Sequence, residues 1–379
     1  MPSYQVILLT ASVGVIGANS LVLSPVSAAV AQSFAGNSAA DIMIAAAAFG
    51  LGTAGSALLL APLADRFGAD RSLIAAMILF ALASMFSTIA PAFWVLIAAQ
   101  TMAGVASGIA LPATYSLAAD IASPGQEGRT MGTVLTGWTL SMVFGVTLSS
   151  ILADLLHWRS VFAFVAGLAA LLSILLLTVS FPRRIANHVT SPLTSLKVPG
   201  IFTALMVQIL LMLSFYGTYS FLGTHLGAMG MTTAAGAAPV LAYGIGFGIA
   251  ARFDGLIDRM GYKGLAPYSF ACVTAALVLI AVLSYSLIGL TIAFLCWGLA
   301  NHIALNLTVG RLIGLDPDQR GAIMGLNSAV TYLCVFAGAI GFRPIFEIGG
   351  LAACAGLAAI AVSFIVIEAW HLKRSRPAN

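Results

Sequence analysis

The chain alternates long apolar runs with short polar interruptions. Most runs reach about 20 residues, the length that an α-helix needs to cross the hydrocarbon core of a bilayer. The pattern predicts twelve membrane-spanning helices, six on each side of a polar connection rich in Ser, Thr and Pro. The first six cover residues 5–30, 41–63, 72–90, 93–118, 130–155 and 160–180. The second six cover residues 200–226, 233–253, 265–285, 287–310, 321–346 and 349–371.

The two sets of six follow one plan. Leu-Ala-Asp-Arg-Phe-Gly at 63–68 returns as Leu-Ile-Asp-Arg-Met-Gly at 256–261, so Asp65 and Asp258 lie 193 residues apart in a chain of 379. Internal repeats in membrane proteins are typical of transporters, whose substrate site lies between the repeats near mid-bilayer. We therefore predict an N-terminal six-helix bundle at 1–180, a cytoplasmic linker at 181–199 and a C-terminal six-helix bundle at 200–379.

Composition supports a bilayer protein. Hydrophobic residues make up 60% of the chain and charged residues 7%, which is too little polar surface to enclose a water-soluble globule. The net charge of +4 is spread along the chain without a dense basic run, so we expect no nucleic-acid partner. The four cysteines have no metal-binding or redox spacing and are interpreted as buried thiols without chemistry.

Basic residues predict the orientation. If the helices alternate across the membrane, Arg159 and Arg343 face one side and the other Lys and Arg residues face the opposite side. Lys and Arg are enriched in cytoplasmic loops. This predicts cytoplasmic N- and C-termini and a location in the cytoplasmic (inner) membrane of a bacterium.

Small residues recur at helical spacing in three predicted helices. Such stripes let helix backbones approach closely inside a membrane. The alternative is that they face lipid in a generally Ala-rich chain. The stripes are Gly137, Ser141, Gly145 and Ser149 in the fifth helix, Gly244 and Gly248 in the eighth, and Gly321, Gly325 and Ala329 in the eleventh.

Twelve helices, a six-plus-six repeat and a charged loop after the second and eighth helices resemble the major facilitator superfamily over essentially the whole chain. The loop motif of that family reads Gly-x-Leu-x-Asp-Arg-x-Gly followed by basic residues. Here Ala61 replaces the leading glycine and Arg71 alone represents the basic cluster, whereas the second copy starts with Gly255. The resemblance implies an all-α membrane protein of two pseudo-symmetric six-helix bundles.

The resemblance also implies that the two loops latch one half against the other. Asp65 would meet the start of the eleventh helix, and Asp258 the start of the fifth. The alternative is that both loops only anchor turns. The predicted gating residues are Asp65, Arg66, Gly68, Arg71, Arg129, Asp258, Arg259, Gly261 and Lys263.

Two further segments resemble the drug and sugar efflux branch of proton antiporters. They are Gly-Arg-Thr-Met-Gly at 128–132 and Trp-Arg-Ser-Val-Phe at 158–162. The sequence departs from the branch pattern in two places. No proline follows Gly145, and Gln100 stands where the branch carries an arginine.

Ionisable residues are few inside the predicted helices, and intramembrane ionisable residues mark functional sites. His302 lies near the middle of the tenth helix, and an imidazole changes charge near neutral pH. We predict His302 and Asp41, at the outer end of the second helix, as proton-coupling residues. Packing of His302 inside the bundle and solvation of Asp41 are the alternatives.

Uncharged polar and aromatic residues on the helices predict a cavity for a neutral, partly apolar substrate. Each residue alone has the alternative of interhelical packing. The predicted substrate-binding residues are Asn19, Gln100, Tyr115, Trp138, Gln208, Tyr216, Tyr219, Tyr243, Asn301, His302, Asn306 and Asn327.

No catalytic residue pattern is present, so the sequence does not favour an enzyme, a cofactor or a resident metal. Three functions stay open. The first is proton-coupled efflux of a small amphipathic or sugar-like molecule by alternating access. The second is import or facilitated passage of a nutrient or metal ion, and the third is a transport-inactive sensor or scaffold. The expected partners are a small-molecule substrate, protons and the lipid bilayer, with the protein acting as a monomer.

Overall fold

The computed structural model describes residues 3–60, 67–123, 126–181, 192–316 and 319–374. Within these ranges it contains twelve helices that are long and apolar enough to cross a membrane, as predicted. Labelled α1 to α12 in chain order, they cover Tyr4–Ala31, Ala39–Leu59, Ala69–Ile89, Phe93–Asp120, Thr130–Leu155, Trp158–Leu177, Ile201–Ala228, Ala237–Ile257, Arg259–Leu283, Leu287–Ile313, Arg320–Gly341 and Arg343–Arg374. Because short connections reverse the chain, α1 begins and α12 ends at the same end of the bundle, called the base below. The opposite end is called the far end.

The two halves pack their helices through the same glycine contacts. In the first half, α2 and α4 approach so closely that a Cβ on Gly104 would fall on the carbonyl oxygen of Phe49. In the second half, α8 and α10 meet in the same way at Gly298 and Tyr243, each 194 residues later. The sequence repeat is therefore also a repeat of helix packing. A second pair of contacts has the same offset, Gly52 on Thr101 and Gly246 on Leu295.

Several helix boundaries differ from those predicted. The eighth helix was expected to end at residue 253, but a single 3₁₀ turn, Ala251–Phe253, carries it on through Asp254 to Ile257. The eleventh helix ends at Gly341 instead of residue 346, and α12 begins at Arg343 before breaking at Gly349 and Gly350. Hydrophobicity continues across these turns, so the sequence pattern did not separate them.

Small-residue stripes make helix contacts, but the stripes of α5 and α8 do not face each other. Gly137 and Gly145 of α5 pack against Gly14 and Ala18 of α1. Gly244 of α8 meets the fifth helix on another side, at Val143, while Gly325 of α11 faces Pro192. Within α5, the backbone forms a π-helical turn at Ser141–Val146, next to the close contact of Gly145 with α1. Such turns occur frequently at functional sites.

The connection between the halves is described in part. Residues 182–191 lie outside the described ranges, and Pro192–Lys197 form a 3₁₀ helix whose first residue contacts α11 at Gly325. The division into bundles 1–180 and 200–379 with a linker at 181–199 stays a prediction.

We expect Gly104→Val to destabilise the fold, because the added side chain has no room between α2 and α4. Overpacking of this kind costs about 1–3 kcal/mol. The measurement is the melting temperature of the purified protein in detergent. Gly167→Val is the matched control, since a Cβ on Gly167 of α6 meets no atom within 4 Å. Equal melting temperatures for the two variants would contradict the packing described.

Candidate functional site

A cavity of about 410 Å³ lies between the two halves. This volume is in the range of small-molecule binding sites. Its wall is formed by residues of α1, α4, α5, α7, α8, α10 and α11. Nine of the twelve predicted substrate-binding residues contribute to the wall: Tyr115, Trp138, Gln208, Tyr216, Tyr243, Asn301, His302, Asn306 and Asn327.

The cavity opens towards the base. Gly132 and Thr136 near the start of α5, and Gly248 and Ala251 near the end of α8, line it and are exposed. Deeper lining residues such as Met212 are buried. A solute thus reaches the cavity from the base, along the gap between α5 and α8.

The far end is closed by contacts between α1 and α7. Ser24 Oγ donates to the carbonyl oxygen of Tyr219 at 2.5 Å, and the Tyr219 hydroxyl donates to the carbonyl oxygen of Leu21 at 3.2 Å. The hydroxyls of Ser27 and Thr224 lie 3.3 Å apart. Tyr219, predicted to bind substrate, is therefore placed in this far-end seal and does not line the cavity.

An ion pair joins the halves at the far end. Arg343 Nη2 lies 2.7 Å from Asp41 Oδ1 at the start of α2, and Arg343 Nε donates to Glu347 at 2.8 Å. The other Asp41 oxygen accepts from the backbone and hydroxyl of Ser38, which completes a capping box. The Asp41 carboxylate lies outside the cavity and serves as a helix cap and an ion-pair partner, while its proton-coupling role stays a prediction.

Two other predicted binding residues belong to the packing of the first half. Asn19 Nδ2 donates to Gln100 Oε1 at 3.0 Å, and Gln100 Nε2 donates to Ser87 Oγ at 2.9 Å. Gln100 is fully buried, and neither residue lines the cavity. This chain of hydrogen bonds ties α1 to α4 and α3.

Two amide side chains of the cavity wall, Gln208 and Asn301, donate to a neighbouring hydroxyl while their carbonyl oxygens stay unpaired. Gln208 Nε2 donates to Thr331 Oγ1 at 2.9 Å, and Asn301 Nδ2 donates to the Tyr243 hydroxyl at 2.6 Å. The carbonyl oxygens of Gln208, Asn301 and Asn327 are buried and have no partner among the described residues. A buried polar atom without a partner costs free energy. A ligand that donates hydrogen bonds to these oxygens would recover that free energy.

Aromatic rings form the apolar part of the wall. Phe215 of α7 lies at their centre, with ring centroids 5.5 Å from Tyr243 and 5.2 Å from Trp297. Phe247, one turn along α8 from Tyr243, places its ring against the imidazole of His302, 4.6 Å between centroids. The aromatic surface therefore extends from the depth of the cavity to its one histidine.

His302 is paired with a carboxylate. Its Nε2 lies 2.8 Å from Asp254 Oδ1, and Asn306 Nδ2 donates to the same oxygen at 3.2 Å. The His302 side chain is 10% exposed and that of Asp254 is 47% exposed. Nδ1 of His302 is buried without a partner among the described residues. Asn306 Nδ2 also lies 3.0 Å from Nε2 of His302, so the three side chains form one polar cluster.

Asp254 was missed by the sequence analysis. The predicted eighth helix stopped at residue 253, which put Asp254 in a polar loop. No local spacing links it to His302, 48 residues later, because their contact arises from the packing of α8 on α10. Phe247 and Thr331 were also missed, since single apolar or hydroxyl residues in a helix carry no signal of their own.

The predicted gating residues are placed at the base, as far as they are described. Gly68 and Gly261 have φ of 93° and 63°, a left-handed conformation that glycine adopts without strain. Arg71, Arg259 and Lys263 are exposed. Asp65 and Arg66 lie outside the described residues, as do the side chains of Arg129 and Asp258.

Comparison with known proteins agrees with this architecture. Residues 8–339 match the family described as the Major Facilitator Superfamily. The MFS-type transporter YwfA of Bacillus subtilis is 27% identical over 98% of this chain and 93% of its own. A probable sugar efflux transporter of Mannheimia succiniciproducens is 27% identical over 81% of this chain and 78% of its own.

Solved structures share the fold at lower identity. A D-xylose-proton symporter superposes with a TM-score of 0.79 at 15% identity, over 94% of this chain and 96% of its own. The human organic anion transporter MFSD10 gives a TM-score of 0.76 at 15% identity, over 97% of this chain and its whole length.

We expect Arg343→Gln to loosen the far end, because it removes the ion pair between the halves. The measurement is the distance between spin labels at Trp94→Cys and Ile288→Cys, two exposed far-end positions in a cysteine-free background. A longer-distance population should appear. Glu347→Gln is the control, since Glu347 pairs with Arg343 only within α12. Unchanged distances in Arg343→Gln would show that the ion pair does not hold the seal.

Proposed function

The chain belongs to the Major Facilitator Superfamily, and we propose that it exports a small amphipathic or sugar-like molecule in exchange for protons. It is a membrane transporter with twelve membrane-spanning helices in the described residues. One observation carries the proposal. A cavity lined by aromatic and amide side chains lies between the halves, open at one end and closed at the other, and its described lining residues include one histidine–carboxylate pair.

The base is the cytoplasmic side in this proposal. Exposed Arg71, Arg252, Arg259 and Lys263 lie at the base, where the positive-inside rule expects basic residues. The cavity then faces the cytoplasm, as an exporter needs when it collects substrate. The bacterial relatives favour the cytoplasmic membrane of a bacterium as the location, and a monomer is sufficient because the cavity lies within one chain.

The substrate class is supported by the chemistry of the wall. Amide groups of Gln208, Asn301 and Asn327 offer hydrogen bonds, while Phe215 and Tyr243 offer apolar ring faces. No Lys or Arg lines the cavity in the part of the chain that the structure describes. A molecule with hydroxyl groups on one face and a hydrophobic face on the other suits this wall. The relatives named as probable sugar efflux transporters favour the same class.

Proton coupling is assigned to His302 paired with Asp254. Imidazole changes charge near neutral pH, and the neighbouring carboxylate compensates the positive charge when the ring is protonated. The pair lies in the cytoplasm-facing cavity and exchanges protons with that side in the present state. After the far-end seal opens and the base closes, the same pair would exchange protons with the other side.

The transport cycle alternates between closure of the far end and closure of the base. The far-end seal of α1 on α7 and the Asp41–Arg343 ion pair break as the base closes. We propose that the repeated loops close the base, with Asp65 and Asp258 latching the halves and with Gly68 and Gly261 shaping the turns. These roles extend the family resemblance of the loops to this chain.

Reconstitution in liposomes tests the proposed function. Purified protein with an imposed pH gradient is screened against sugars, amphipathic drugs, nucleosides and metal ions. Accumulation of an organic solute on the acidic side, where solute and proton move in opposite directions, is expected. Movement of solute with the proton, or passage without a gradient, would assign an importer or facilitator instead. If no solute is transported, the remaining function is that of a transport-inactive sensor or scaffold.

We expect His302→Gln to bind substrate but to lose accumulation driven by the pH gradient, because glutamine keeps a hydrogen bond to Asp254 and does not titrate. The measurement is solute accumulation in the same liposomes. His225→Gln is the matched control: His225 is a buried histidine bonded to the Ser284 carbonyl oxygen at 2.8 Å, outside the cavity. Gradient-driven accumulation by His302→Gln equal to that of the parent would remove His302 from the coupling step.

A further inference from the structure

Asp254 is not required by the fold. The two halves pack α2 on α4 and α8 on α10 with the same glycine contacts, 194 residues apart. At the positions that correspond to Asp254 and His302, the first half carries Leu60 and Gly108. Gly108 packs directly on α2, against Ser56. The first half therefore forms this helix pair without a titratable side chain at either of these two positions, so packing alone does not require the carboxylate of the second half.

The cavity has an uncompensated preference for positive charge. Among the described lining residues, Asp254 is the single acidic one, and none is Lys or Arg. In its neutral form, His302 can give Oδ1 one hydrogen bond and leaves the negative charge of the carboxylate in place. The Asp254 side chain is 47% exposed, on the open side of the cavity. A cation that enters from the base meets this carboxylate.

Most other buried groups of the wall that lack a partner among the described residues are hydrogen-bond acceptors; the exception is the Tyr332 hydroxyl, which can also donate. The carbonyl oxygens of Gln208, Asn301 and Asn327, each at least nine-tenths buried, lack a donor among the described residues. Nδ1 of His302 is a further unpaired acceptor when Nε2 carries the proton. Trp138 has the wall's one indole N–H, and this donor is already bonded to the Tyr115 hydroxyl. The described wall therefore has more unpaired acceptors than unpaired donors, and a ligand that donates hydrogen bonds would complement it.

Resting on the proposed function, we propose that the substrate carries an ammonium group together with hydroxyl groups, as amino sugars and amino alcohols do. The ammonium binds Asp254, and the hydroxyls donate to the amide oxygens deeper in the cavity. The Phe247 ring lies against His302 and borders the cationic position, where an aromatic face adds attraction. The same charge pattern excludes organic anions.

The spacing of the acceptors fits a small molecule. Asn306, which bonds Asp254, and Asn301 are five residues apart on α10, a rise of about 7.5 Å. One ring with an amine on one side and hydroxyls on the other reaches both positions. This arrangement makes Asp254 a specificity-determining residue, separate from the role of His302 in coupling.

The test compares ligands that share one ring and differ in charge. Binding of glucosamine, glucose, N-acetylglucosamine and glucuronate is measured by calorimetry on the purified protein. The parent should bind glucosamine at least about tenfold more tightly than glucose, which is about 1.4 kcal/mol, and glucuronate least. Asp254→Asn should bind glucosamine and glucose equally. Asp254→Glu should keep the preference, and so should His302→Gln.

Several results of the binding experiment would contradict the proposed role of Asp254. Binding of glucose or glucuronate as tight as that of glucosamine, no binding of any of the four, or a preference that survives in a folded Asp254→Asn protein would overturn the proposal. The melting temperature of Asp254→Asn shows that it is folded. Measuring transport of the same ligands in liposomes shows whether the substrate proposal or the proposed proton coupling has failed. Gradient-driven export without amine preference refutes only the role of Asp254, whereas amine binding without gradient-driven export refutes only the coupling.

Discussion

The cost of placing charge inside a membrane organises this structure. Charged residues are 7% of the chain, and an ionised side chain in the hydrocarbon region is costly unless it is paired or lines a cavity. The described ion pairs obey this constraint. Arg343 and Asp41 pair at the far end, Arg311 and Glu368 pair between α10 and α12, and Asp254 with His302 lines the cavity. These three pairs are thus tied to closure, to helix packing and to the site.

The repeat separates what the fold needs from what transport needs. Glycine contacts such as Gly104 on Phe49 and Gly298 on Tyr243 are equivalent in the two halves, because both bundles require close backbone approach. The histidine and the carboxylate occur in the second half alone. In our account, the first half supplies part of the cavity wall and of the far-end seal, while the second half supplies the chemistry. The positions at which the two halves differ therefore indicate where, in our proposal, the functional side chains lie.

Sequence reasoning predicted the elements of the fold well, since helix length and hydrophobicity are local properties of the chain. Nine of the twelve substrate-binding residues that it predicted line the cavity, because polar and aromatic side chains are scarce on membrane helices. It could not separate Asn301, which lines the cavity, from Asn19, which bonds Gln100 inside the first half. Both are mid-helix asparagines with the same local pattern. The Asp254–His302 pair was beyond reach for the same reason: it depends on which faces of α8 and α10 meet.

The central claim is that the halves alternate around this cavity, and a reversible lock on the far end tests it most directly. The hydroxyls of Ser27 and Thr224 lie 3.3 Å apart across the seal. Cysteines at these two positions, in a cysteine-free background, can form a disulfide. We expect the oxidised protein to bind ligand from the base and to transport none, with transport restored by reduction and unaffected in either single-cysteine protein. Undiminished transport by the fully oxidised protein would contradict alternating access through this seal.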